Sequence, residues 1–415
     1  GKQWVYPREL GKAGYQTGLI GKWHLKGNPT DEFQHWEILS GKGGQGSYFN
    51  PTFLSAQGGS QVTGHSTRII TDKALVWLKN RDPEKPFLLC AQYKTPHIHR
   101  LPPPDRMGGY DDFEFPVPET FFDDFSTRSD FVSKTWMALK GMKGHVLNIG
   151  PTEEEIRKNP KIRPPFLQEM TPRQRKAWHT AYDPRNLKFR KMKEAGKLEG
   201  KQAQLYVYQR FIKDYVRCID GLDDQVGRIL SFLDETGLTK NTLVIYSSDQ
   251  GFFTGEHGWA EKRWMYEESF KSPLLMRWPG VIKPGTRISA LVQNIDLAPT
   301  LIRAAGLKVP GSVHGLALHP ILSGKEPPSW RTDLLYQYFD GGTPDNRGPY
   351  NMPRHEGVRD TRYKLISFYE YRKWEFYDLR VDPYELKNLI GEPTMKGEIN
   401  RLKKRLEELK SGYGL

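Results

Sequence analysis

The sequence predicts an α/β fold: one large, mostly parallel mixed sheet sandwiched by helices, followed by a small antiparallel sheet closed by a helix. Three observations predict it. Short apolar runs alternate with amphipathic helical stretches, the rhythm of βα units. Runs such as TLVIYSS and PFLLCAQY are apolar throughout rather than alternating, as strands covered on both faces are. After Pro327 and Pro328 the texture shifts to DLLYQYFD, YKLISFYEY and KWEFYDLRVD, and then to INRLKKRLEELK with apolar residues at helical spacing.

Taken in order, LGKAG reads as a short helix that leads into the strand YQTGLIG. TRIITDKALVWLKN follows as a helix and PFLLCAQY as the next strand. From about 101 to 200 the pattern gives way to Pro-rich and Lys/Arg-rich sequence, including LPPPDRMGGYDD and IRPPFLQEM, which reads as an insertion over the sheet's functional edge. A helix from about Gln204 to Cys218, the stretch GLDDQVGRILSFLDETG and the strand TLVIYSS return to the βα rhythm. The expected organisation is a catalytic domain over 1–327, with the insertion inside it, and an α+β subdomain over 328–415.

The bulk properties exclude several function classes. At 415 residues the chain buries a sizeable core. A net charge of +13 favours polyanionic partners. The excess is diffuse, as in IRKNPKIRPP and RNLKFRKMKEAGK, with no aromatic-interleaved pattern, so nucleic acid is not an expected partner. No apolar run is long enough for a membrane span. Cys90 and Cys218 sit in apolar surroundings and read as small buried hydrophobes rather than a disulfide framework. The opening GKQWVYPREL reads as the middle of a domain, without a signal-peptide pattern.

Polar clusters follow the predicted strands. GLIGKWHLKG places Lys22 and His24 beyond one, and CAQYKTPHIHR places His97 and His99 beyond another. YSSDQGFFTGEHGWAEKR adds Asp249, Gln250, His257, Lys262 and Arg263 beyond a third. In wound sheets ligands bind past the carboxyl ends of strands. Asp249 and Gln250 offer hard oxygen donors suited to Ca²⁺, with Mg²⁺ second; an Asp that merely caps the next turn is the commoner state of such a residue. Lysines, imidazoles and metal-binding oxygens together suit a tetrahedral oxyanion, since cations neutralise its oxygens and imidazole moves protons near neutral pH.

These segments resemble the sulfatase family of the alkaline phosphatase-like superfamily. GYQTGLIGKWHLKG is similar to its second signature, and SDQGFFTGEHGWAEKRWMYEESFKSPLLMRWPG to its metal-binding and substrate-lysine segment. VQNIDLAPTLIRAAG, HGLALHPILSG, GVRDTRYKLI and EFYDLRVDPYELKNL match further landmarks in the family's order. KTPHIHR and GQGSYFNP resemble bacterial enzymes of the N-acetylglucosamine-6-sulfatase type, acting on mucin or glycosaminoglycan sugars. The resemblance implies Ca²⁺ ligation by Asp249 and Gln250, sulfate binding by Lys22 and Lys262, a role for His24 in regenerating the nucleophile, and proton donation to the leaving oxygen by His97, with Lys262 as rival donor. Gln250 stands where many members have Asn. His257, Arg263 and His355 are expected near the sugar, with loop ordering the alternative for His257 and a structural role the alternative for His355. A periplasmic or extracellular location is implied by family.

The family's formylglycine-forming Cys or Ser, with the paired Asp ligands before it, has no counterpart here; Cys90 and Cys218 lack its context. The expectation is an incomplete or decayed form, unable to turn over sulfate esters as written. The other readings are a phosphodiesterase or phosphonate hydrolase of the same superfamily, a non-catalytic polyanion-binding protein and a nucleic-acid binder.

Overall fold

The computed structural model describes residues 3–41, 44–142, 147–342 and 352–415. By its contacts the chain divides into two compact units, one comprising 1–115, 143–240 and 304–307, the other 116–142, 241–303 and 308–415.

The first unit opens with helix α1 (Tyr6–Lys12) and strand β1 (Gln16–Gly21). β2 (His35–Leu39), β3 (Thr52–Ser55), β4 (Gly58–Gln61), helix α2 (Ser66–Asn80) and β5 (Phe87–Gln92) follow. The sheet order is β4-β3-β2-β1-β5. β1 lies between two parallel neighbours, β2 and β5, and β3 and β4 add antiparallel strands on the far side. The sheet is therefore mixed. β1 is buried along almost all its length, which is why QTGLIG carries no charge. α2 covers it with Ile69, Ile70 and Ala74, packed on Ile20, Leu39 and Phe53.

Helices α3 (Glu153–Lys158), α4 (Pro165–Gln168), α5 (Pro172–Glu194) and α6 (Gly200–Glu235) complete this unit. α5 starts from a capping box in which Thr171 and Gln174 exchange side-chain-to-backbone hydrogen bonds. α6 runs unbroken through 36 residues, joining two stretches that sequence reading treated separately. Gly221 inside it is a packing device and not a break: a Cβ there would lie 2.6 Å from Pro103. The roughly 1 kcal/mol that glycine costs a helix is offset by this close approach.

The second unit contains β6 (Val244–Ser247), β7 (Phe253–Thr254), β8 (Ala260–Glu261), α7 (Glu267–Phe270), β9 (Leu274–Arg277) and the start of α8 (Leu297–Ala304). Its C-terminal part is an antiparallel sheet of β10 (Asp333–Tyr338), β11 (His355–Asp360), β12 (Tyr363–Phe368) and β13 (Lys373–Asp378), closed by α9 (Lys396–Tyr413). Ile399, Leu402 and Leu406 of α9 pack on Val358, Leu365 and Phe376, as the helical spacing in INRLKKRLEELK predicts. One expectation is corrected. TLVIYSS does form a strand, but among the described residues β6 pairs antiparallel with β9 and is only half-buried, instead of lying inside the parallel sheet. LLMR of β9 is an equally apolar partner, and an apolar run specifies burial without specifying its neighbour.

Among the described residues no helix is long and apolar enough to cross a membrane.

Candidate active site

In the first unit the parallel register sets Gly21 beside Gln92, so the chain leaves β1 and β5 at one edge. Gly21 has φ +115°, and a Cβ there would lie 2.0 Å from the Gln92 carbonyl oxygen. Only glycine fits this exit. Lys22 N–H then donates to the same oxygen at 2.7 Å, which fixes the lysine just beyond the sheet, half-buried. His24, exposed and at φ +52°, has its ring 3.0 Å from the Gln45 amide nitrogen.

Beyond β5 the chain is held closely. Thr95 and Thr67 hydroxyls meet at 2.7 Å, and Tyr48 donates to the His97 carbonyl at 2.6 Å. His97 Nδ1 lies 3.0 Å from the Ile98 carbonyl oxygen. A carbonyl only accepts, so Nδ1 carries the proton and Nε2 is the basic nitrogen of the neutral ring. Lys94, not among the residues expected at the site, also lies in this segment. It is only 8% exposed, with its Nζ 5.3 Å from the centre of the Tyr48 ring. Glu169 sits near enough for Lys94 to pull its carboxyl down, although burial keeps it above the usual range. The available signal was a lysine two residues past the end of β5, close to where Lys22 stands after β1.

In the second unit Asp249 and Gln250 follow β6. Asp249 is exposed, with Oδ1 3.3 Å from the Ser248 hydroxyl, and Gln250 is half-buried. Gly251 and Phe252 N–H donate to Ser269 and Glu268 carbonyls at 2.9 and 2.7 Å, tying this turn to α7. Lys262 Nζ lies 3.5 Å from Glu261 Oε2 and 6.0 Å from the Phe252 ring, which places it in the same neighbourhood as Gln250. Arg263 lies 3.8 Å from the same Glu261 oxygen. Glu261, at φ +86°, and Arg263, at φ +104°, hold backbone angles that L-residues rarely adopt. Such strain persists only where surroundings impose it, and it concentrates at functional segments.

The surroundings that impose it are aromatic and charged. His257 is buried among Phe125, Phe253, Trp259 and Tyr266. Its Nδ1 lies 2.7 Å from Asp123 Oδ2, and its N–H donates to Thr120 at 3.1 Å. Burial alone would lower the His257 pKa, but hydrogen bonds to Asp123 and Glu268 raise it above the ordinary value. Burial would likewise raise Asp123, yet His257 and Arg128 hold it down at about 2. His257 therefore orders the loop, the alternative its sequence context offered. His355 departs from the expected place at a sugar-contacting rim. It is 0% exposed, boxed by Trp264, Tyr336, Tyr338 and Phe368, with Nδ1 donating to the Pro353 carbonyl at 3.0 Å. It packs beneath the residue next to Arg263, so it supports the strained segment from below.

The buried imidazoles make a pH prediction. Burial lowers His65 and His355 to about 4 each, against backbone hydrogen bonds that act the other way. Between pH 6.5 and 4 the unfolded chain takes up protons that these folded rings refuse. Their stabilisation is complete above about pH 6.5 and is lost as pH falls towards 4, by about 3 kcal/mol for each ring. His257 acts with the opposite sign and offsets part of this. Calorimetry from pH 7 to 4 should show a falling Tm, and His355→Phe should make that fall shallower. Parallel curves for the two proteins would contradict the assignment.

As metal donors, Asp249 and Gln250 have suitable chemistry for a hard cation, a carboxylate and an amide oxygen at one turn. Among the described residues no group of three or more His, Cys, Asp or Glu side chains forms a metal cluster. Neither cysteine is a nucleophile in waiting. Burial pushes both thiols up, Cys90 in β5 beside the Tyr6 hydroxyl and Cys218 inside α6. Lys22 and His97 follow β1 and β5, neighbouring strands that end at one edge of the first unit, and Asp249, Gln250, Lys262 and Arg263 lie in one segment of the second.

Two family models match the chain, "Sulfatase" over residues 7–307 and "N-sulphoglucosamine sulphohydrolase, C-terminal" over residues 255–412. An N-acetylglucosamine-6-O-sulfatase of Bacteroides thetaiotaomicron is 37% identical over 418 residues, covering 100% of this chain and 73% of that protein. The human N-acetylglucosamine-6-sulfatase is 41% identical over 123 residues, 29% of this chain and 22% of its own. Among solved structures, BT4656 in complex with its substrate D-glucosamine-2-N,6-O-disulfate aligns with a TM-score of 0.93 at 37% identity, covering 100% of this chain and 83% of that one. A phosphonate monoester hydrolase from Silicibacter pomeroyi aligns with a TM-score of 0.67 at 20% identity, covering 98% and 79%, which is a likeness of fold alone.

Proposed function

The chain belongs to the sulfatase family, and from that premise we propose that it is a sulfuric ester hydrolase acting on sulfated sugars, with 6-O-sulfated glucosamine units as the preferred substrate. The observation that carries the reading is likeness along the whole chain to an N-acetylglucosamine-6-O-sulfatase, 37% identical over 418 residues.

The residues divide the work. Cleaving a sulfate ester puts charge on the sulfuryl oxygens and on the departing sugar oxygen. Lys22 and Lys262 bind the sulfuryl oxygens, and cations already fixed in place stabilise that charge without reorganisation. His97, as the imidazolium, protonates the departing oxygen from Nε2, because its Nδ1 proton is held by the Ile98 carbonyl. His24 is assigned to regeneration of the nucleophile, a group that this sequence does not itself supply. Asp249 and Gln250 would supply two of the oxygen donors for a divalent cation, Ca²⁺ in this reading, and a bound cation would provide Lewis-acid stabilisation of a sulfate oxygen. Arg263 borders the sugar, and His257 and His355 position the segment that carries Lys262. A periplasmic or extracellular site of action fits such polymeric sugar substrates.

Sulfate release measured by ion chromatography tests the substrate. In a form that also carries the family's nucleophile segment a 6-O-sulfated glucosamine should be cleaved, and an N-sulfated or phosphorylated counterpart should not, while the 415-residue sequence alone should release no sulfate; faster cleavage of a phosphate or phosphonate ester would transfer the chain to the phosphonate hydrolases of this fold. The cation is tested separately. In a form that carries the family's paired Asp ligands calcium should raise the Tm, and Asp249→Ala should abolish the rise. A Tm gain that survives this substitution would place the cation elsewhere.

A further inference from the structure

Helix α5 carries eight cations and two acids, and the fold sorts them. Three cations face inward and are neutralised. Arg175 donates to the Met170 carbonyl, Arg185 to Asp111 and the Met107 carbonyl, and Arg190 to Glu155 and the Gly150 carbonyl. The other five, Arg173, Lys176, Lys188, Lys191 and Lys193, are exposed, and among the described residues none is within ion-pair distance of a carboxylate. Of the two acids, Asp183 is taken by His179 at 2.9 Å and by the Glu153 N–H at 2.9 Å, which leaves Glu194 alone on the outer side.

Four of the exposed cations make a row. At 100° per residue Arg173, Lys176, Lys188 and Lys191 fall within a face about 120° wide, as two pairs centred about 23 Å apart, with Glu194 at its C-terminal end. Within each pair the charges are three residues apart and repel each other. The opposite face is rigidly seated: Trp178 and Tyr182 are buried and stacked at 5.0 Å, and Asn186 accepts from Arg210 at 2.9 Å. A row of unneutralised charge on a fixed platform matches an extended ligand bearing repeated negative charges.

We propose that the outer row of α5 is a docking surface for a sulfated polysaccharide chain. The choice of polyanion rests on the reading above, that sulfated sugars are the substrate class. A flexible polymer of sulfated sugars supplies anionic groups along a length that a single sugar lacks, so the surface adds affinity for polymer and none for the monosaccharide. Association is driven by release of counterions and weakens steeply with salt.

The test compares two fourfold variants of equal charge change. The row variant is Arg173→Ser, Lys176→Ser, Lys188→Ser and Lys191→Ser; the control removes the exposed cations Lys283, Arg287, Arg303 and Lys308 of the second unit in the same way. The probe is a fluorescent heparin oligosaccharide at 0.15 M NaCl. The row variant should bind roughly tenfold more weakly with a shallower salt dependence, and the control should change little. Unchanged binding by the row variant, an equal loss in the control, or tighter binding of a single-stranded oligonucleotide to the same row would each overturn the proposal. Binding is read without turnover, and sulfate release from a monosaccharide is read without the polymer, so the docking surface and the assigned reaction fail independently.

Discussion

Under the proposed function, and in a form that carries the family's nucleophile segment, Lys22→Ala should lower kcat/KM for a 6-O-sulfated glucosamine by about 10²- to 10³-fold, the usual cost of losing one preorganised partner of a developing oxyanion. The fold should be unaffected, because what seats residue 22 is its backbone N–H on the Gln92 carbonyl and not its side chain. Lys22→Arg keeps the charge but changes its shape and reach, and should recover only part of the rate. Steady-state kinetics alongside a thermal melt separate the two effects. A loss below about tenfold, or a matching loss of Tm, would remove Lys22 from the oxyanion role.

The largest stability effect is expected at Lys364. It is 0% exposed and donates to the Met265 carbonyl at 2.7 Å, with Glu385 at 2.8 Å and Glu267 at 2.9 Å. Burial raises Glu385 to about 7 even though Lys364 pulls it down, whereas Lys364 and Arg359 overcome burial at Glu267 and hold it at about 2. Lys364→Met strands a buried carboxylate and a carbonyl, and should cost about 3–5 kcal/mol in urea unfolding. The sign of the pH dependence follows from Glu385. A folded pKa above the unfolded one gives stabilisation that is present at low pH and lost as pH rises from about 4.5 through 7. Without Lys364 this loss grows, so the deficit should widen between pH 5 and 8. Adding Glu385→Gln should restore part of it. A variant within 1 kcal/mol of the parent would mean that the pair is not buried as described.

The two predictions bear on one piece of chain. Lys364 lies on β12 and grips the carbonyl of Met265 and the side chain of Glu267. These flank Trp264, which stacks on His355, and Tyr266, whose hydroxyl donates to Glu375 at 2.7 Å. The C-terminal sheet thereby supports the backbone that carries Lys262 and Arg263. A loss of activity in Lys364 variants would be read as misplacement of this segment.

The sequence by itself determined some of the strands and helices, because apolar period is a property of neighbouring residues, but it did not show β2–β4 or α3–α5, whose patterns are short or polar. β1, α2, β5, the C-terminal antiparallel sheet and α9 stand where their patterns put them. It also determined the chemistry available after β1, β5 and β6, since residue type and order are written there. Tertiary structure alone decided the partner of β6, because an apolar run demands burial but many runs can supply it. It decided that His355 is boxed by four aromatic rings, and that Lys94 is enclosed beside Tyr48. It divided the cations of α5 into those that are neutralised and those that face solvent. Burial and ionisation depend on groups distant in the chain, and desolvation, which sets whether a His or Lys is charged, exists only once those groups have closed around it.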